Sequence, residues 1–323
     1  MRVRTYPSWL RQALLIGLGT IAFSLGGCDQ SSPSAGDNSD DRPDVVATST
    51  MIADWTARIG GDEIELTGLL QPGADPHVYE PVPADSIAFE KADLILYNGY
   101  NLEPGLIKMM NAAGVNARKV AVGEVVQPLD LNYEGRTVPD PHVWGDVQNV
   151  IKMVKSIRDE LIQLSPQDEA EFTTNAEAFI AELEKLDQWV NVQISTVPSE
   201  HRQLITTHDA FQYYANAYGL KVTGTLIGIS TEEQPSAQTV QKLAESIRSQ
   251  GVPAIFAETT INPRLITTVA EEAGVKLADT HLYSDSIGAP GSAGDTYVGM
   301  VVSNTQAIVE NLGGQYTDFQ ADN

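Results

Sequence analysis

Apolar residues along this chain follow two alternating rhythms. Short aliphatic or β-branched runs read as buried strands, and they alternate with stretches carrying apolar residues at helical spacing. The first such run is Val45-Val46-Ala47-Thr48-Ser49. The same reading predicts strands over residues 63–69, 94–98 and 119–122, with helices over 83–91 and 104–113. A helix follows over 146–164, and a longer one over 167–194 with Phe172, Ala176, Phe179, Ile180, Leu183 and Leu186 on one side, ended by Pro198. The alternation then resumes. Strands are expected over 203–207, 221–226 and 254–257, helices over 210–218, 238–249 and 264–273, and a closing helix over 296–312. Alternation of this kind argues for parallel sheets flanked by helices. The expected architecture is α/β: an N-terminal lobe over 45–165, a long linking helix within 166–198, and a C-terminal lobe over 199–323.

The N-terminal segment has a different texture. Arginines precede an apolar run from Ala13 to Gly27, and small residues close it, which is the layout of a secretory signal over 1–27. The one cysteine of the chain, Cys28, comes next, so no intramolecular disulfide and no cysteine-based metal site is possible. The string Leu25-Gly26-Gly27-Cys28 resembles the lipobox of bacterial lipoproteins, which implies cleavage before Cys28 and acylation of it. Acyl chains would hold the body at the outer face of the cytoplasmic membrane. Residues 29–44 are rich in Ser, Asp and Pro without apolar periodicity, so 28–44 is expected to be a flexible tether. The formal net charge of −23 disfavours nucleic acid as a partner and suits a body that attracts cations.

Only five histidines are present: His77, His142, His201, His208 and His281. Two occupy near-identical pentapeptides, Asp75-Pro76-His77-Val78-Tyr79 and Asp140-Pro141-His142-Val143-Trp144. Pro holds the preceding Asp in extended backbone, and the Val-aromatic pair can wedge each loop against a core, fixing the imidazole. Neutral imidazole is the commonest side-chain metal ligand. His208 follows a strand, where ligands bind in open α/β sheets; equally, Asp209 could cap a helix there, with His208 only a loop residue. Asp285 and His281 compete as a further ligand, and His201 reads as a solvated linker residue. No H-E-x-x-H helix, G-x-S-x-G elbow, Walker loop or G-x-G-x-x-G is present, so no enzyme is expected.

Taken together, D-P-H-V-Y, P-D-P-H-V-W at 139–144, H-D-A-F at 208–211, P-A-I-F-A-E at 253–258, Y-S-D-S-I-G at 283–288 and T-Y-V-G-M at 296–300 resemble the zinc/manganese family of ABC-transporter substrate-binding lipoproteins. The resemblance covers essentially the whole chain after Asp44. It implies His77 and His142 as ligands from the first lobe, His208 and Asp285 from the second, and two similar lobes around a rigid helix with the metal buried between them. It also implies one Mn²⁺ or Zn²⁺ as cargo, an importer permease with its ATPase as partners, and a monomeric body. In the resembled family a carboxylate in the third ligand position is typical of manganese carriers, so the resemblance leans His208 towards zinc. Zinc-dedicated members often carry a His-rich acidic loop between the first two ligands, and the absence of any histidine between Tyr79 and Pro141 leans back towards manganese. Two other readings use the same residues. One is a zinc hydrolase with Glu258 or Asp285 as base; the other is a surface adhesin whose fold a metal stabilises.

Overall fold

The computed structural model describes residues 42–321, leaving out 115 and 134. The secretory signal, Cys28 and all but the last three residues of the tether lie outside the described residues. The first four strands are β1 (Asp44–Ala47), β2 (Glu65–Gly68), β3 (Leu94–Tyr97) and β4 (Arg118–Ala121). They pair in parallel in the order β2-β1-β3-β4. The central pair is aliphatic because both of its faces are covered: Val45, Val46, Leu94, Ile95 and Leu96 are all buried.

Helix α1 (Thr50–Gly60) starts where the Ser49 side chain accepts the Ile52 N–H (3.3 Å), and it buries Met51, Ile52, Trp55 and Ile59. The sequence reading missed this helix by following the strand rhythm through Thr48 and Ser49. Helices α2 (Pro83–Lys91) and α3 (Pro104–Ala113) both begin on proline, whose missing N–H costs nothing in a first turn, and their limits are those expected. An antiparallel hairpin, β5 (Asp130–Tyr133) and β6 (Arg136–Pro139), was also unforeseen; each strand has four residues, too few for a clear periodic signal.

Asp146 caps α4 (Val147–Leu164), and α5 (Glu169–Ser195) runs 27 residues with Phe172, Ala176, Phe179, Leu183, Leu186 and Val190 buried. The second lobe follows as β7 (Gln203–Thr206), α6 (Gln212–Tyr218), β8 (Lys221–Thr225), α7 (Ala237–Gln250), β9 (Ala254–Ile255), α8 (Arg264–Ala273), β10 (Lys276–Leu277) and α9 (Tyr297–Asn311). β7 pairs with β8 and β9 with β10, all parallel. The Phe256 N–H donates to the Ile205 carbonyl (2.9 Å), setting β9 beside β7. The resulting order, β8-β7-β9-β10, repeats the plan of the first lobe. Among the described residues no helix is long and apolar enough to cross a membrane.

A seam of hydrogen bonds joins the lobes. The Gly73 N–H donates to Ser286 Oγ (2.7 Å), the Ile287 N–H donates to Thr50 Oγ1 (3.0 Å), and the Trp144 indole donates to the Ser284 carbonyl (3.0 Å). The Tyr297 hydroxyl donates to the Trp144 carbonyl (2.7 Å), and its ring meets Trp55 edge-on at 5.3 Å.

Candidate metal centre

His77, His142, His208 and Asp285 arrive at one point from four separate loops, and all four are buried. His77 lies beyond β2, and His142 lies just past β6. His208 lies two residues beyond β7, and Asp285 lies in the loop between β10 and α9. In each sheet, therefore, ligands come from loops that follow strands, where an open α/β sheet leaves a crevice.

The imidazoles converge through Nε2. The Nε2 atoms of His77 and His142 are 3.2 Å apart. Those of His77, His142 and His208 stand 3.7, 3.5 and 3.1 Å from the nearer Asp285 oxygen. Four ligands placed tetrahedrally at about 2.0–2.1 Å from one ion would be about 3.3 Å apart. His208 Nε2 and both Asp285 oxygens have no hydrogen-bond partner although they are buried. Buried polar atoms left without partners are costly, so this arrangement asks for a cation.

What stands behind each ring differs. The Asp140 carboxylate accepts from the His142 backbone N–H (3.0 Å) and bonds its Nδ1 (2.8 Å). Glu258 accepts from the His208 backbone N–H (2.8 Å) and bonds its Nδ1 closely. A carboxylate on Nδ1 keeps the proton there and frees Nε2 for a metal. Asp75 accepts only the His77 backbone N–H (2.9 Å); no group among the described residues bonds the His77 Nδ1. Asn98, also buried, donates to the Pro141 carbonyl (2.9 Å), and its own N–H is taken by Glu103 (2.7 Å). Burial pushes the Glu103 carboxyl up to about 7. Asn98 and Glu103 therefore pin the peptide before His142, a role no motif announced.

Burial lowers the His77 imidazole to about 3, against the pull of Asp285. Burial also opposes a proton on His208, but Asp285 and Glu258 outweigh it and raise that imidazole well above its ordinary value. For Asp285, burial works upward and is overcome by His208, His142 and His77, which hold the carboxyl below the usual range.

Several expectations change. The two D-P-H-V-aromatic loops are not equivalent. Val143 is fully buried and Trp144 nearly so, but Val78 is 45% exposed, so in the first loop only the half-buried Tyr79 packs against a core. Asp209 is not a helix cap: α6 begins at Gln212 after Phe211, and Asp209 instead accepts from the Gln212 side chain (2.7 Å). His281 and His201 lie outside the cluster, and His201 bonds the Leu312 carbonyl (3.1 Å). Glu258 is spent on orienting His208 and does not face an open position as a general base would.

Residues 45–311 match the family described as zinc-uptake complex component A, periplasmic. The manganese-binding lipoprotein MntA of Bacillus subtilis is 34% identical over 309 residues, covering 94% of this chain and all of that protein. The manganese ABC transporter substrate-binding lipoprotein PsaA of Streptococcus pneumoniae is 32% identical over 299 residues, 90% of this chain and 95% of its own length. Among solved structures, the periplasmic zinc-binding protein TroA of Treponema pallidum superposes with a TM-score of 0.80 at 37% identity, over 84% of this chain and 99% of that one.

Proposed function

The chain belongs to the family of zinc-uptake complex component A proteins, and on that premise we propose that it captures one divalent transition-metal ion between its lobes for an ABC-type importer. His77, His142, His208 and Asp285 are the ligands in this reading. The observation that carries it is the convergence of three Nε2 atoms on a carboxylate, with the His208 Nε2 and both Asp285 oxygens left without partners, spaced as a single ion requires. The ion is cargo and not a catalytic group. In the hydrolase reading Glu258 is not free to act as a base, because it is fastened to His208, and Asp285 faces all three rings as a fourth ligand. Release to a permease and its ATPase follows from the family's role, with the body acting as a monomer.

Both Asp285 oxygens are free of hydrogen bonds, so the carboxylate can bind through one oxygen or two. The first mode suits four-coordinate Zn²⁺, the second the harder Mn²⁺ or Fe²⁺. The four ligands alone would leave a divalent ion with one positive charge, and carboxylates also stand behind His142 and His208. Titration of demetallated protein is expected to show one site per chain, tighter for zinc than for manganese by the usual affinity order. Two equivalent tight sites would sink the assignment. Binding requires His208 neutral, and its pKa in the metal-free protein is raised, so binding near pH 7 displaces that proton. His77, at about 3, has none to lose there. Affinity should therefore climb with pH through neutrality, with protons released on binding, visible as a buffer-dependent heat of binding. A heat of binding independent of the buffer would contradict these assignments.

In this reading residues 1–27 serve as an export signal, and lipid on Cys28 holds the body at the outer face of the cytoplasmic membrane. Cys28→Ala is expected to move the protein from the membrane to the soluble fraction with metal affinity unchanged. Retention of that variant in membranes lacking the importer would point to another anchor.

A further inference from the structure

Three independent asymmetries single out one of the four ligands. His142 and His208 have their Nδ1 atoms fastened by buried carboxylates, and His77 does not. The valine after His142 is fully buried, whereas Val78 after His77 is 45% exposed. His142, His208 and Asp285 are 0% exposed, and His77 alone keeps an opening, at 5%. That opening faces a cavity of about 520 Å³, walled by Tyr100, Glu124, Pro139, Ser230 and Glu232 as well as His77 itself. We propose that this cavity is the ion's way in and out, and that His77 is the gating ligand, met first on loading and released first on unloading. The inference rests on the carrier reading above and adds a direction to it.

The cavity suits a hydrated cation. A water occupies about 30 Å³ in the liquid, so about six waters around an ion fit comfortably in a volume of about 520 Å³. Glu124 and Glu232 give the walls the sign that draws a cation inward. One wall is stiff: Gly99, Tyr100 and Asn101 all stand at positive φ (85°, 50° and 58°), a conformation that non-glycine residues hold only when fixed by their surroundings. The fixing contacts are the Tyr100 N–H to Glu124 (3.2 Å) and the Tyr100 hydroxyl to the Val126 carbonyl (2.7 Å). On the Asp285 side the hydrogen-bonded seam between the lobes closes the site. Rotation of one unfastened imidazole then exposes the other three ligands to the cavity without parting the lobes.

The test uses the full chain with Cys28→Ala, so that an introduced thiol is unique. Ser230→Cys is modified with a bulky thiol reagent, with a small methylthio reagent, or left free, and Zn²⁺ loading and removal by excess chelator are timed. The bulky group is expected to slow both rates at least tenfold while the amount of zinc bound at equilibrium stays at one per chain; the small group should leave both rates near the parent's. The same bulky reagent at Val192→Cys, on the exposed face of α5, should change neither. Glu232→Gln should slow loading and weaken its dependence on salt. Rates unchanged by the bulky group, or slowed equally by both reagents, would overturn the route. A free-thiol chain that takes up no zinc would instead overturn the carrier reading.

Discussion

Replacing Asp285 by asparagine is expected to weaken divalent-metal binding by about a thousandfold, ~4 kcal/mol, the scale of leaving a buried charge without its partner. Asp285 is the only carboxylate whose oxygens face all three Nε2 atoms, and neither oxygen is engaged elsewhere. Asparagine keeps the shape, and the loop stays tied through Ser284 and Ser286, so the loss falls on the ion and not on the loop. Competition with a chromogenic chelator measures it, with His281→Ala as the control that stays within a few-fold of the parent. A loss below tenfold for Asp285→Asn would remove Asp285 from the ligand set. The metal-free protein should also be less stable in this variant, over a defined window. The depressed Asp285 carboxyl contributes stability that vanishes as pH falls through its folded pKa, and the raised His208 contributes stability that vanishes as pH rises through its own. The difference between parent and variant should be largest between those limits.

The second large effect is expected at a residue that never touches the ion. Glu258→Gln should weaken binding by about 10–100-fold with the fold intact. The carboxylate accepts two hydrogens from one residue, the backbone N–H and the Nδ1–H of His208. An amide has one accepting oxygen. If it takes the backbone N–H, its NH₂ faces Nδ1, and the ring must carry its proton on Nε2, where the ion belongs. The shift of tautomer is visible in imidazole nitrogen resonances of the metal-free parent and variant, compared at a pH high enough for both rings to be neutral. Unchanged affinity together with an unchanged tautomer would show that Glu258 is only a packing residue.

How much of this was legible depends on the range over which the signal travels. The D-P-H repeat is a contact between residues two apart, so His77 and His142 could be read from the string. Helices α2, α3 and α8 had readable limits because proline at or just before the first turn, together with apolar spacing, is local information. The pairing of His208 with Glu258 spans 50 residues, and the sequence offered Glu258 only as a candidate base. Asp285 was weaker still on sequence grounds, a loop Asp raised only by family likeness. The inequality of the two histidine loops could not be read at all: identical pentapeptide beginnings hide one buried valine and one exposed one, because burial there is decided by which lobe surface lies opposite.

The seam at Thr50, Gly73, Trp144, Ser284 and Ser286 bears on energy transduction in the transport cycle. Its hydrogen bonds form between protein groups alone, so they hold the lobes together without help from an ion. The same seam makes the receiver's task asymmetric. A docked permease that pulls the lobes apart must break those bonds with its own binding energy or with ATP, whereas one that merely turns His77 aside leaves them intact and can let the body depart shut, ready for another ion.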